Sequence, residues 1–229
     1  MPSPDSSSLI SLKNVHLTLP SKAGPVHILR GVDFAASPGE AIGIVGPSGS
    51  GKTSLLMVIA GLEPVTSGDI TVAGLSLAGK TEDALAELRR GHVSIVFQSF
   101  HLIPTLTAIE NVALPLEFKG EPDAASRAVK CLENVGLGHR LTHYPGQLSG
   151  GEQQRVAIAR AIASGAKVIL ADEPTGNLDQ DTGTAIMDLL FRLRDEQQAT
   201  LLLVTHDPAL AKRCNRIVEV RDGTLGLRP

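Results

Sequence analysis

Three short motifs carry residue types that can bind and cleave a phosphate chain. Residues 46–53 read Gly-Pro-Ser-Gly-Ser-Gly-Lys-Thr, which matches the pattern of a phosphate-binding loop. The glycines allow a tight turn whose backbone N–H groups reach phosphate oxygens. In such a loop Lys52 contacts the β- and γ-phosphates, and the Thr53 hydroxyl is a ligand of Mg²⁺. We therefore expect a nucleotide site that contains Gly46, Pro47, Ser48, Gly49, Ser50, Gly51, Lys52, Thr53 and Ser54.

Two acids follow an apolar segment further along the chain. Val168–Ala171 contains no turn-forming residue, as expected of a central parallel strand that is buried on both faces. Asp172 and Glu173 come next, at the carboxyl end, where open α/β sheets bind ligands. Asp172 would hold Mg²⁺, and Glu173 would act as general base toward the attacking water. Taken alone, the pair has the alternative interpretation of two solvated acids in a loop.

The third motif predicts the start of a helix. Residues 148–154 read Leu-Ser-Gly-Gly-Glu-Gln-Gln, and an amphipathic stretch follows. Ser149 has the side chain of an N-cap. A helix that begins here offers a serine hydroxyl and free backbone N–H groups to an anion. The alternative is an ordinary capped helix without a ligand.

Taken together, the three motifs resemble those of the ABC ATPase family, and the likeness covers nearly the whole chain. In that family the third motif is the signature, and the signature of one subunit contacts the γ-phosphate held by the phosphate loop of the other. The resemblance therefore implies a homodimer that encloses two ATP molecules. In it, nucleotide would be contacted across the interface by Ser149, Gly150, Gly151 and Glu152.

Three further positions match the family in order. Gln98 follows an apolar segment and matches the Gln loop, which implies contacts with Mg²⁺ and the attacking water. Asp179 ends an Asn-Leu-Asp sequence that matches the loop crossing the dimer interface and adds to the nucleotide site. His206 follows a short apolar strand and matches the switch histidine, which contacts the γ-phosphate. The catalytic residues implied by the resemblance are Glu173, His206, Gln98 and Lys52, and the Mg²⁺ ligands are Thr53, Gln98 and Asp172.

One position departs from the family pattern. Most members have an aromatic residue in an early loop that stacks on adenine, and the register through residues 10–19 places Leu19 there. An aliphatic side chain covers the base by apolar contact but lacks stacking, which is worth about 0.5–1.5 kcal/mol. We expect Leu19 to contact the base with weak selectivity, so that GTP competes better than usual.

These motifs require an α/β domain to position them. Residues 9–19 and 26–36 predict an antiparallel β layer, and the remaining strand patterns alternate with helices, as in a parallel sheet. The predicted fold is a P-loop NTPase with a RecA-like core, this β layer and an α-helical signature subdomain. The resemblance implies that the 229 residues form one ABC ATPase domain, with core and β layer expected at about 9–97 and 164–227 and the helical subdomain at about 98–163.

Helical stretches dominate the predicted subdomain, and prolines are expected to break them. These prolines are Pro104, Pro115, Pro122 and Pro145. The segment from Phe97 to Val112 is also unusually apolar. In the family, the cleft beside the Gln loop receives a short helix of the permease, so docking is expected near Gln98–Leu106. Phe100, Leu102, Ile103 and Leu106 would line that groove or belong to the subdomain core.

Composition limits the class of partner. The net charge of −3 predicts no broad basic surface for nucleic acid. The two cysteines lack neighbouring metal ligands, so no metal beyond Mg²⁺ is expected. The polar N-terminus is no secretion signal, and no apolar run approaches the roughly 20 residues that span a bilayer. If the protein serves a membrane machine, we expect the spanning part to be another chain.

Within the family, the sequence resembles the branch that serves MacB-type and lipoprotein-releasing permeases. The likeness is carried by Val96–Phe100, Leu102–Leu106, Glu110–Val112 and Ala171–Asp179. It implies an ATPase on the cytoplasmic face of the bacterial inner membrane that drives a permease by mechanotransmission. The expected cargo is lipidic or hydrophobic, and a periplasmic component is compatible with this arrangement.

Other functions share the same motifs. A regulatory ATPase would use them to activate a periplasmic enzyme through a membrane partner without transport. A DNA-maintenance ATPase usually inserts coiled coils or zinc modules before the signature, and this chain has neither heptads nor cysteine clusters there. A translation-associated ATPase normally carries two such domains in one chain. Transport and regulation therefore remain the main alternatives at the level of sequence.

Overall fold

The computed structural model describes residues 8–22 and 24–227. The predicted absence of a secretion signal concerns an N-terminal segment that lies outside these residues. Contacts divide the chain into two compact units, one formed by residues 1–89 with 199–229 and the other by residues 90–198. The subdomain boundaries expected at about 98 and 163 stay a prediction. Among the described residues, every helix is too short or too polar to traverse a lipid bilayer.

Strands and helices alternate along much of the chain. In order they are β1 (Ile10–Leu19), β2 (Val26–Ala36), β3 (Ala41–Val45), α1 (Lys52–Ile59), β4 (Ser67–Val72), β5 (Leu75–Ser76), α2 (Glu82–His92), β6 (Val93–Phe97), α3 (Ala108–Phe118), α4 (Ala124–Asn134), a 3₁₀ turn (Pro145–Gln147), α5 (Gly150–Ala163), β7 (Val168–Asp172), α6 (Gln180–Gln197), β8 (Thr200–Val204), α7 (Pro208–Ala211), β9 (Arg216–Arg221) and β10 (Thr224–Leu227).

The first unit contains an antiparallel sheet in the order β2-β1-β4-β5. β1 lies between β2 and β4, and Ile10 is opposite Ala36 on one side and Val72 on the other. Leu19 ends β1 opposite Val26. Ile10 and Leu12 are buried, because alternate side chains of β1 point to the interior. The pairing confirms the predicted antiparallel β layer.

The first unit also contains the strands that carry the phosphate loop. They follow the order β10-β9-β3-β8, and β3 is parallel to both β8 and β9. Every residue of β3 and β8 is buried, which is typical of parallel strands covered on both faces. Because parallel strands end at the same edge, the loop after β3 and the residues after β8 meet there. That edge holds the phosphate loop and His206.

The second unit combines a parallel strand pair with long helices. β6 and β7 pair from Val93 opposite Val168 to Phe97 opposite Asp172. The two strands therefore place Gln98 and Glu173, the next residue of each, at one edge. Helix α5 packs against α3, α4 and α6, and its apolar face is fully buried at Val156.

Pro115 lies inside α3, so the prediction that it breaks a helical stretch is wrong. The proline lacks the N–H that would donate to the Asn111 carbonyl. The helix is nevertheless stabilised by a capping box, in which Thr107 and Glu110 bond to each other's backbone. Burial of Val112 and Leu116 holds it further. Packing of an apolar helix face outweighs the single lost hydrogen bond.

Candidate functional site

The phosphate loop leads directly from β3 into the first turn of α1. Gly51 precedes the helix with φ of 106°, and no side chain caps the helix N-terminus. The first backbone N–H groups of a helix have no intrahelical acceptor. The α1 terminus therefore combines N–H donors that lack an intrahelical acceptor with the positive end of the helix dipole. This arrangement suits a phosphate group.

Lys52 is a buried cation whose partners are neutral. Its side chain is only 6% exposed. The Nζ atom donates hydrogen bonds to the Gly46 carbonyl at 3.0 Å and to the Pro47 carbonyl at 2.8 Å. A buried charge is expensive unless an opposite charge compensates it. A triphosphate supplies that compensation, so the loop fits an anionic nucleotide.

The backbone of the loop lies close to a neighbouring strand. Gly46 has φ of 146°, and a Cβ at this position would lie 2.1 Å from the Val220 carbonyl oxygen. Only glycine permits this approach. Ser50 is buried, and its N–H donates to the Pro47 carbonyl at 3.3 Å. Pro47, Ser48 and Gly49 are exposed at the tip, where a ligand can reach their backbone.

The structure brings His206 and the phosphate loop to one cavity. The cavity has a volume of about 510 Å³ and is lined by Gly46, Pro47, Thr205, His206 and Lys212, among others. His206 lies two residues after the end of β8 and is exposed. The Thr205 N–H donates to the Ile44 carbonyl at 3.2 Å, which ties this turn to β3. The predicted switch histidine and the start of the loop therefore share one polar cleft.

A second group of site residues, within the second unit, consists of Gln98, the two acids at the end of β7 and the loop before α6. Asp172 ends β7 opposite Phe97, and Glu173 follows it with φ of 46°. This left-handed conformation is strained for a residue with a side chain. The Gln98 amide donates to Asn177 Oδ1 at 3.1 Å, and Asn177 Nδ2 donates to the Gln98 carbonyl at 3.1 Å. These two reciprocal bonds fix the Gln98 side chain against the loop that leads to Asp179.

Arg160 holds the turn that follows Gln98. Its guanidinium donates to the His101 carbonyl at 2.7 Å and to the Phe100 carbonyl at 2.9 Å. Phe100 and His101 have φ of 60° and 47°, so two consecutive residues are left-handed. The His101 ring also packs edge-on against Phe97, with centroids 4.6 Å apart. Burial lowers the pKa of Arg160, but a guanidinium remains charged.

The signature serine caps α5, as the sequence predicts. Ser149 Oγ accepts from the Glu152 N–H at 3.3 Å, and Glu152 Oε2 accepts from the Ser149 N–H at 2.8 Å. Glu152 Oε1 also accepts from Arg140 Nε at 3.0 Å. The hydrogen bond from the Ser149 backbone, and then those from Ser149 Oγ and Arg140, lower the pKa of Glu152. The carboxylate is therefore held in its charged form.

Close packing joins the signature to the next helix. A Cβ on Gly151 would lie 2.6 Å from Thr182 Cγ2, and one on Gly150 would lie 3.3 Å from Leu178 Cδ2. Asp179 caps α6, where its Oδ1 accepts from the Thr182 N–H at 3.0 Å. This backbone hydrogen bond is the main cause of the lowered pKa of Asp179. The signature and the loop ending at Asp179 thus pack as one block.

The apolar segment expected at the docking groove is anchored by a buried amide. Asn111 is fully buried, accepts from the Ile103 N–H at 2.8 Å and donates to the carbonyls of Ile103, Leu106 and Thr107 at 3.0–3.1 Å. Ile103 is nevertheless 37% exposed. Phe100, Leu102 and Leu106 are half-buried. The segment is thus fixed while part of its apolar surface stays accessible.

The expected Mg²⁺ ligands have suitable chemistry. A hydroxyl at Thr53, a carboxylate at Asp172 and an amide oxygen at Gln98 are hard oxygen donors, which Mg²⁺ prefers. Within residues 8–22 and 24–227, no three His, Cys, Asp or Glu side chains cluster as a metal site. Mg²⁺ in nucleotide enzymes needs no such cage, because phosphate oxygens and water complete its shell.

Sequence analysis did not identify three residues that support the candidate site. Arg160, Arg140 and Asn111 act through partners that are remote or irregular in sequence. The two capping boxes were detectable in the sequence, because a glutamate stands three residues after both Ser149 and Thr107. Nothing in the local pattern indicates that Arg160 reaches two carbonyls.

Comparison with known proteins agrees with these features. Residues 29–176 match the family described as ABC transporter. YbbA of Escherichia coli strain K12, described as an uncharacterized ABC transporter ATP-binding protein, is 54% identical over 200 residues, or 86% of this chain and 88% of YbbA. The lipoprotein-releasing system ATP-binding protein LolD 2 of Caulobacter vibrioides is 44% identical over 97% of this chain and 99% of its own.

A longer relative and a solved structure extend the comparison. The macrolide export ATP-binding/permease protein MacB of Escherichia coli strain K12 is 44% identical over 96% of this chain, which covers 34% of MacB. The dimeric ATP-binding cassette MJ0796, in a post-hydrolysis state bound to ADP and Pi, superposes with a TM-score of 0.87 at 41% identity. That superposition covers 96% of this chain and 99% of MJ0796 and confirms the predicted P-loop NTPase fold. This chain therefore belongs to the ABC transporter family and is an ATPase.

Proposed function

We propose that this protein is the ATP-hydrolysing subunit of a transporter, and that two copies close around two Mg-ATP to drive a separate inner-membrane permease. The observation that carries this proposal is the phosphate loop, where a buried Lys52 has only carbonyl partners among the described residues and α1 has no side-chain cap. The likeness to MJ0796, described as dimeric and bound to ADP and Pi, supports the dimer.

Residues of the phosphate loop hold the triphosphate of ATP in this proposal. Lys52 exchanges its two carbonyl partners for β- and γ-phosphate oxygens, and the α1 N–H groups donate to the same chain. Leu19 covers the base from the end of β1. Thr53, Asp172 and Gln98 would supply oxygen ligands to Mg²⁺, and the ion would offset phosphate charge.

Glu173 and His206 prepare the water for attack. Glu173 accepts a hydrogen bond from the water and takes its proton. The same hydrogen bond aligns the water oxygen with the γ-phosphorus, opposite the oxygen that bridges to ADP. The new P–O bond forms as the bond to that bridging oxygen breaks. His206 donates to the γ-phosphate and steadies the water. The left-handed backbone at Glu173 sets the direction of its Cα–Cβ bond.

A second copy completes each site. Ser149, Gly150 and Gly151 of one subunit contact the γ-phosphate held by the other, and Glu152 and Asp179 stabilise this surface. Support comes from the geometry of α5, whose exposed Ser149 precedes a helix N-terminus. Loss of the γ-phosphate removes the bridge, so hydrolysis reopens the dimer.

Replacing the general base tests the dimer and the chemistry together. Glu173→Gln keeps the size of the side chain but cannot accept the proton. We expect it to bind ATP, form a stable dimer in light scattering, and hardly turn over. Lys52→Ala, as a control, should remain monomeric with ATP because it cannot bind the triphosphate. Normal turnover by Glu173→Gln would contradict the assignment of the base.

The docking surface for the permease lies in the segment held by Asn111 and Arg160. The surface comprises Phe100, Leu102, Ile103 and Leu106, and a rigid, partly exposed apolar patch is typical of a partner site. The relatives named for lipoprotein release and macrolide export support a MacB-type permease with lipidic or hydrophobic cargo. In this proposal the protein works at the cytoplasmic face of the inner membrane.

A charge on this surface separates docking from nucleotide binding. Ile103→Glu should abolish co-purification with a MacB-type permease from the same genome and leave ADP binding intact. Leu62→Glu is the matched control, because Leu62 is also exposed, at 44%, and lies outside the surface. If the Ile103→Glu variant still co-purifies with the permease, the assignment of this surface to permease docking is wrong. An ATP-dependent substrate-release assay on the complex distinguishes transport from activation of a periplasmic enzyme.

A further inference from the structure

The turn between β9 and β10 lies directly against the phosphate loop. Asp222 and Gly223 connect the strands with φ of 49° and 78°, and Arg221 pairs with Thr224 across them. Two consecutive left-handed residues are typical of a tight hairpin turn. This turn is far from the nucleotide motifs in sequence, and none of them predicts a role for it.

Gly223 connects the phosphate loop with β2 through its own backbone. Its N–H donates to the Ser50 carbonyl at 3.2 Å. Its carbonyl accepts from the Arg30 N–H at 2.8 Å. One residue of the turn thus bonds to the centre of the loop on one side and to a sheet strand on the other. The position of the loop depends on where this turn lies.

No side chain fits between these backbones. A Cβ on Gly223 would lie 2.4 Å from the Ile28 carbonyl oxygen. A Cβ on Gly51 would lie 3.0 Å from the same oxygen, and one on Gly46 would lie 2.1 Å from the Val220 oxygen. Real Cβ contacts essentially never fall below 3.0 Å. The loop is therefore packed against bare backbone of β2 and β9.

We propose that Gly223 is a positioning residue for ATP binding. Its backbone holds the phosphate loop at a fixed distance from β2 and from the β9–β10 turn. Any side chain at this position must push the turn away from Ile28 and move the Ser50 carbonyl with it. A displacement of about 1 Å at a catalytic or binding group can change its effectiveness about a hundredfold. The inference rests on the proposed role of the loop in holding phosphate.

The chain offers a close control for this substitution. Gly74 lies in the β4–β5 turn with φ of 81°, and the residue before it, Ala73, has φ of 51°. A Cβ on Gly74 would meet nothing within 4 Å. Gly74→Ala therefore introduces the same left-handed strain as Gly223→Ala, without the collision and without a contact to the loop.

The experiment measures binding of Mg-ADP by calorimetry at a temperature where each variant is fully folded. We expect Gly223→Ala to raise Kd at least about tenfold, whereas Gly74→Ala keeps the Kd of the unaltered protein. In ATPase assays, KM for ATP should rise more than kcat falls, because the loop grips ground-state phosphate. An unchanged Kd for Gly223→Ala would overturn the inference. Failure of the unaltered protein to bind ADP would instead overturn the proposed function.

Amide exchange in the unaltered protein tests the inference even if Gly223→Ala does not fold. Saturating Mg-ADP should slow exchange of the Gly223 and Arg30 N–H groups, because a filled loop holds the Ser50 carbonyl in place. The Ala73 N–H, which donates to the Leu9 carbonyl at 2.7 Å, should exchange at an unaltered rate. Equal exchange with and without Mg-ADP at Gly223 and Arg30 would refute the positioning role.

Discussion

Replacing Arg160 with methionine removes the clamp on the turn that follows Gln98. The guanidinium donates to two successive carbonyls, those of Phe100 and His101. Both residues are left-handed, a conformation that costs about 1–2 kcal/mol for each residue with a Cβ. Methionine keeps the length and apolar stem of arginine but supplies no donor. In the variant, the left-handed strain at Phe100 and His101 remains, and their carbonyls lose the hydrogen bonds from the guanidinium.

The expected loss of stability follows from these contacts. Hydrogen bonds to a charged group contribute about 1.5–3 kcal/mol each. The loss is reduced because the turn can relax and water can donate hydrogen bonds to the two carbonyls. We therefore expect Arg160→Met to lower the free energy of unfolding by about 3 kcal/mol. Arg160→Lys should lose about half as much, because an ammonium lacks the planar fork that reaches both carbonyls.

Urea unfolding, followed by circular dichroism, measures this loss from the midpoint at constant slope. Arg155→Met is the matched control for stability, because Arg155 is in the same helix and has no hydrogen bond or ion pair within the described chain. Turnover of Arg160→Met should also fall, since Gln98 lies just before the released turn. The reasoning fails if Arg160→Met and Arg155→Met unfold at the same urea concentration.

Two further predictions concern the base site and acid stability. Leu19→Tyr should improve ATP affinity about 2–10-fold through stacking worth about 0.5–1.5 kcal/mol, and competition with GTP measures the gain; a strong ATP preference before substitution would mean that another group reads the base. Because the folded-state pKa of Glu152 lies below its usual value of 4.5, its stabilisation is complete above that pH and is lost as the pH falls through the lowered pKa. Glu152→Gln should therefore show a shallower acid loss of stability between neutral pH and pH of about 3, and identical profiles would exclude this contribution.

Local spacing in the sequence predicts most residues of the candidate nucleotide site. The phosphate loop needs its residues in consecutive order, and the apolar segments before Asp172 and His206 are long enough only for buried strands. The structure places both residues where those strands end. Sequence order therefore carried the fold class, whereas the pairing of β6 with β7, which places Gln98 and Glu173 at one edge, is seen only in the structure.

Contacts between remote backbone atoms could not be predicted in this way. Arg160 bonds to carbonyls about 60 positions away, and carbonyls have no signal in sequence because every residue has one. The same reason hides the contact of Gly223 with Ser50. Pro115 was misjudged because local propensity favours a break, whereas burial of the helix face decides the outcome.

Helix α5 connects the signature serine, Ser149, with Arg160, which holds the turn after Gln98. It contains 14 residues, a length of roughly 20 Å at 1.5 Å per residue. Glycines occur only in its first turn, and proline is absent from it, so nothing in its body favours a kink. Such a helix is expected to move as a rigid body. A small displacement of Ser149 would therefore be accompanied by a displacement of Arg160. In the proposed mechanism, binding of the γ-phosphate at Ser149 would therefore be communicated through α5 to the proposed docking surface.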